Sequence, residues 1–250
     1  MARNLGMAVL WAGLIAASPG HAQTATTTTT ENFAIREGFA FPDGNPPRIL
    51  VFRPEVKVGE QTTAGLFQIN AVWHATAKAE LTQALMQAGK ARNVEMLLHE
   101  DMVEAEGADL AEHRALYRLV VGTIIRHKLF GKDPLPSKVG RFDWSLGSGV
   151  ARIAPAAHAD YGLFLLSQDS FESAGRRAAK LVASLMGAGA ARGSHFGYAG
   201  LVDLKNGDIL WLNVDLKATG DVRTAEGAAQ RIEQLLNGFP GRAVVGSTAP

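Results

Sequence analysis

The sequence predicts a single α/β domain: a mixed sheet with helices on its faces, three layers in outline, and a β-hairpin in the C-terminal half. Three observations carry this. Short apolar runs of strand character, RILVF at 48–52 and YGLFLLS at 161–167, are interspersed with segments whose apolar residues recur at helical spacing. Asn206–Gly207 stands between two short apolar runs and is the strongest hairpin signal in the chain. A chain of 250 residues without cysteine is long enough to bury one core unaided by disulfides.

The amino terminus reads as an address. Arg3 is basic, residues 5–17 are mostly apolar, and Ser18, Pro19 and Gly20 break the run. Small residues at Gly20 and Ala22 complete the pattern of a secretory signal peptide over residues 1–22, cleaved before Gln23. The apolar run is too short to span a bilayer, which takes roughly 20 residues. The expectation is a periplasmic mature chain with no transmembrane segment. The absence of cysteine excludes a covalent lipid anchor on that residue, disulfides, thiolate chemistry and cysteine metal sites. Lys and Arg number 25 and Asp and Glu 24, so loss of Arg3 leaves the mature chain neutral. Neutrality argues against a nucleic-acid partner.

Residues 23–47 open with a threonine run and continue through Pro, Gly and Asn turns, which predicts a flexible linker and an irregular lead-in. Order is expected from Arg48 to Gly241, with a tail over 242–250. RILVFRPEVKVG reads as strand, with Pro54 marking an edge or a break. GLFQI at 65–69 reads as a second short strand. Ala77, Leu81, Ala84, Leu85 and Ala88 form the inner stripe of a helix, and NVEMLLH at 93–99 a further strand. Residues 113–130 make the clearest long helix, with Leu116, Leu119, Val120, Ile124 and His127 on its broad apolar face, widened by Val121 and Ile125. Arg114, Arg118 and Arg126 fall on the solvated side. Residues 131–150 are loop, with Trp144 packed over the domain.

YGLFLLS reads as an interior strand. Asp169 and Glu172 then have capping-box spacing, so a helix is expected to start there. Gly175 and Arg176 fall inside it; the glycine permits close approach to a strand, and the arginine pairs with a carboxylate such as Asp160. HFGYAGLVDLKNGDILWLNV makes the hairpin. Asp203, Asp208 and Asn213 do not match the calcium-loop spacing, and turn chemistry accounts for Asn206, Gly207 and Asp208. A last helix follows Asp221, capped by Thr224 with Glu226 in its first turn and with Ala228, Ile232, Leu235 and Leu236 as its inward stripe.

Chemistry-bearing motifs are missing. There is no GxSxG elbow, HExxH pair or GxGxxG fingerprint, and GSG at 147–149 lacks the phosphate-loop spacing. The histidines are scattered. No catalytic, metal or cofactor residue is singled out. The alternative is an exported hydrolase whose His/Asp site assembles only in the fold.

Three segments resemble a known group. ADYGLFLLSQDSFESAGRRAA, GYAGLVDLKNGDILWLNV and GDVRTAEGAAQRIEQLLNGFPG are together similar to a bacterial envelope α/β family. It lies near the lipoproteins related to the curli-secretion lipoprotein and the amino-terminal domain of the Tol-system beta-propeller protein. The resemblance covers about 48–241, and Asp160, Arg176, Asp203, Trp211, Asn213, Asp221, Arg223 and Glu226 match its pattern. It implies a non-catalytic envelope binding or assembly protein, with another envelope protein or a second copy as partner. The missing lipobox cysteine departs from the lipoproteins and favours a soluble periplasmic form.

Overall fold

Order begins earlier than Arg48. The computed structural model describes residues 32–52, 54–62, 64, 66–99, 104–129, 134–153, 158–173 and 195–241. Within them Phe33–Ile35 form strand β1, and Phe41 is buried. The lead-in is therefore part of the domain from Asn32 on, because its phenylalanines at 33, 39 and 41 are drawn into the core. The signal-like start, the threonine run, the part of the expected helix beyond Ser173 with Gly175 and Arg176, and the tail at 242–250 lie outside the described residues.

The remaining elements are β2 (Arg48–Val51), β3 (Glu55–Gln61), β4 (Phe67–Ile69), α1 (Ala71–Ala91), β5 (Glu95–Leu98), α2 (Glu104–Ile124), β6 (Tyr161–Glu172), β7 (His195–Asp203), β8 (Ile209–Asp215) and α3 (Ala225–Leu235). A wider turn, Ile125–Leu129, continues α2. The described strands form one mixed sheet in the order β1-β8-β7-β6-β2-β5, with β3 and β4 extending it beside β6. Pro54 splits the first expected strand. Its two halves, β2 and β3, pair in parallel with successive stretches of the same long β6.

β6 is central and settles two matters. Leu163 and Leu165 face α1 and α3, and Phe164 and Leu166 face α2, so each face of the sheet has its own core. The capping box does not form. β6 runs on through Asp169 to Glu172, since β3 pairs with it as far as Gln61↔Glu172 and β7 as far as Asp169↔His195. Hydrogen bonding on both edges outweighs a local cap worth about 1 kcal/mol. Phe171, expected on a helix, is a strand residue.

α1 buries the residues expected of it: Ala77, Leu81, Ala84, Leu85 and Ala88. Asn70 caps its start, accepting the Trp73 N–H at 3.1 Å. α2 buries Val121 and Ile124 and packs Val120 and Ile125 against the core as expected, but Leu116 and Leu119 lie outside the buried face. Leu110, His113, Tyr117, Val121 and Ile124 point inward, whereas Leu119 is 71% exposed and Leu116 is also open. Tyr117 anchors the inward face: its ring stacks on Phe164 at 4.6 Å over Gly200, where any side chain would collide with the Tyr117 hydroxyl. The hairpin forms as expected, with Gly207 at φ 81°.

Candidate functional site

Because side chains on a strand alternate, Ser167 and Asp169 point to the same face as Leu163 and Leu165, beneath α3. α3 presents Ala228, Arg231, Ile232 and Leu235 to the sheet. Arg231 and Asp169 are both fully buried and meet there. Arg231 Nη2 donates to Asp169 Oδ1 at 2.8 Å and Nη1 donates to Oδ2 at 3.0 Å. Nη1 also donates to Ser167 Oγ at 2.8 Å, and Ser167 Oγ donates to Asp169 Oδ2 at 2.8 Å. His195, opposite Asp169 on β7, places Nδ1 2.8 Å from Oδ1. An ionised carboxylate only accepts, so Nδ1 carries the proton. Burial works to raise the Asp169 pKa, but the hydrogen bonds from His195, Arg231 and Ser167 and the Arg231 charge outweigh it and hold the carboxyl below its ordinary range.

A second cluster lies beside it. The Arg223 guanidinium sits 3.9 Å from the centre of the Phe171 ring and 4.3 Å from that of Trp73. Its Nε and Nη2 donate to the two oxygens of Asp221 at 2.8 and 2.6 Å. The Arg223 hydrogen bond is the main cause that lowers the Asp221 pKa. The Phe171 and His195 ring centres lie 5.3 Å apart in an edge-to-face arrangement.

Chemically, a histidine oriented by a buried carboxylate is half of a general-base arrangement. Two features count against that use here. Arg231 already neutralises Asp169, which weakens its support of an imidazolium. Among the described residues no hydroxyl is hydrogen-bonded to His195, whose side chain is 29% exposed. No group of three His, Asp or Glu side chains among the described residues is placed to hold a metal. A groove of 240 Å³ lined by His127, Lys128, Lys138 and Trp144 lies over the α2 face, away from this network.

The residues singled out in the sequence fall in several places rather than one. Asp160 contributes backbone bonds to Arg48 and Leu204. Asp203 accepts the Lys205 N–H, Asn206 accepts the Asp208 N–H, and Asp208 pairs with Arg36 at 3.1 Å, all at the turn end of β7. Trp211 is buried against Phe239. Asn213 donates to the carbonyls of Gln234 and Leu235 at 2.8 and 3.0 Å, closing the end of α3. Glu226 is exposed in the first turn of α3, whose cap is Thr224. Arg231, Ser167 and Trp73 were not singled out. A charged residue inside the stripe Ala228, Ile232, Leu235 was the legible signal for Arg231.

The other distinctive feature is β4. Among the described residues it pairs only with β3, and all three of its residues are exposed. Leu66, Phe67, Ile69 and Val72 gather there at 69, 37, 55 and 73% exposure. No described helix is long and apolar enough to cross a membrane.

No family model matches the chain, and no curated protein matches it. Among solved structures, similarity is found to a PelC dodecamer from Paraburkholderia phytofirmans, with 12% identity, TM-score 0.37, and 84% of this chain and 98% of that one covered. The LpoB C-terminal domain from Salmonella enterica is similar at 13% identity and TM-score 0.28, covering 72% and 85%. Lipoprotein GNA1162 from Neisseria meningitidis is similar at 13% identity and TM-score 0.27, covering 68% and 78%. These likenesses are too remote to bear on activity.

Proposed function

We propose that this chain is a non-catalytic, periplasmic or envelope-associated protein that acts by holding another protein. The observation that carries the reading is the apolar edge at β4, where Leu66, Phe67, Ile69 and Val72 face solvent and the strand pairs, among the described residues, with β3 alone. The sealed Asp169–Arg231 pair supports it, because the most organised polar cluster of the described residues is engaged in joining α3 to the sheet. The signal-like residues 1–22 and the neutral mature chain support export and a protein partner over a nucleic acid. The hydrolase alternative has the His195–Asp169 contact in its favour.

The test is photocrosslinking in intact cells from a reactive residue at position 69, with mass spectrometry of what is joined, after fractionation and amino-terminal sequencing. Expected are a mature start at Gln23 and reproducible links to an envelope protein or to the chain itself. An uncrosslinked cytoplasmic protein, or a hydrolytic activity lost in His195→Ala, overturns the reading.

A further inference from the structure

Resting on that reading, we propose that the occupant of the β4 edge is the β4 strand of a second copy, antiparallel, with the two-fold axis at Gln68. Hydrogen-bond parity leads to this register. β3 and β4 are antiparallel, with Gly59↔Ile69, Glu60↔Gln68 and Gln61↔Phe67 opposed. Thr62 N–H donates to Leu66 O, and Asn70 N–H donates to Val58 O. Bonded pairs recur every second residue in an antiparallel ladder, so 58–70, 60–68 and 62–66 are the bonded pairs. Phe67 and Ile69 therefore turn their N–H and C=O groups away from β3, toward the open side.

An antiparallel partner must present the same pattern, and β4 itself does. With Gln68 opposite the partner's Gln68, Phe67 faces the partner's Ile69 and Ile69 faces the partner's Phe67. Each of these two pairs exchanges both backbone hydrogen bonds. The side chains then form two pairs of aromatic against β-branched residue on one face, a favourable cross-strand combination. The central glutamines form the unbonded, closer pair.

Charge favours a copy of the chain over a charged partner. No Asp, Glu, Lys or Arg occurs from Gln61 to Ala77, so two copies meet there without repulsion. Open edges are commonly guarded by lysine, proline or a bulge, and β4 has none of these. The other edges differ. β5 carries Glu95, paired with Arg48, and β1 is followed by Arg36, paired with Asp208.

The chain has no cysteine, so one introduced thiol per molecule gives an unambiguous readout. Gln68→Cys, purified and mildly oxidised, is expected to give at least about tenfold more covalent dimer than Leu66→Cys or Lys205→Cys. An unbonded cross-strand pair brings Cα atoms to about 4.5 Å, within disulfide span, while Leu66 is out of register with itself. Adding Ile69→Lys to Gln68→Cys should abolish the excess, with circular dichroism unchanged. Equal linkage at 66, 68 and 205, or an excess at 68 that survives Ile69→Lys, overturns the proposal. If Gln68→Cys fails to link while position 69 captures a different protein in cells, the second-copy occupant is wrong and the binding reading stands. If neither links, both fall.

Discussion

Asp169 lies opposite Val58, and Val58 opposite Asn70, so the buried carboxylate and the open edge share one level of the sheet two strands apart. Over about 10 Å the molecule reverses the usual placement of polar and apolar groups. At Asp169, charge is buried because every partner is supplied: a guanidinium, a hydroxyl and an imidazole. At β4, apolar side chains are exposed because, among the described residues, the sheet ends there. The first region is complete within one chain. On the proposed reading, the second is completed by a partner.

The largest effect should come from breaking the complete region. Arg231→Met leaves Asp169 buried without its cation, which costs about 3–5 kcal/mol of folding stability, read by urea unfolding. Asp169→Asn in the same chain should restore part of the loss, since the two residues share one network. A loss under about 1 kcal/mol from Arg231→Met would mean that the pair is not a joint between α3 and β6.

Acid should narrow that contrast. The folded pKa of Asp169 lies below its unfolded value, so the associated stability is fully present above the unfolded pKa of about 3.9 and is lost as pH falls through the folded value. Asp221 and Glu233 are lowered by their arginine partners and contribute in the same direction. The stability gap between wild type and Arg231→Met should be wide at neutral pH and shrink below about pH 4. A gap independent of pH would show that the carboxylate charge is not what Arg231 serves.

Next in size is Asn213. Its amide closes the last carbonyls of α3 in a buried setting, so Asn213→Ala should cost about 1–3 kcal/mol. An unchanged unfolding midpoint would remove Asn213 from the set that fixes α3 to β8.

Much of this was legible in the sequence. The stripes of α1 and α3, the Thr224 cap, the Pro54 break and the Asn206–Gly207 hairpin are local signals, and local geometry honours them. Asp169–Glu172 is the opposite case: its spacing describes a helix start, but long-range pairing with β3 and β7 prevails. The face of α2 is legible at Val121 and Ile124, but the burial of Tyr117 depends on its stacking with Phe164 of β6, a tertiary contact. The Asp169–Arg231 joint joins residues 62 positions apart and could not be paired from spacing; only the odd placement of Arg231 in an apolar stripe hinted at it. Which amides β4 leaves open follows from the ladder to β3, a tertiary fact.

The smallest effect on folding should come from the edge, and its smallness is what makes it informative. Ile69 is more than half exposed and β4 has one neighbour, so Ile69→Lys removes little that the single chain relies on. Its unfolding free energy should stay within about 0.5 kcal/mol of wild type. Any self-association seen by sedimentation should nevertheless disappear, because a lysine at that position sets like charges near one another across the two-fold. Arg231→Met should behave in reverse, losing stability while its remaining folded fraction still associates. If Ile69→Lys instead destabilises the monomer by more than about 1 kcal/mol, the patch is part of the fold's own packing, and the contrast between a finished interior and an unfinished edge fails.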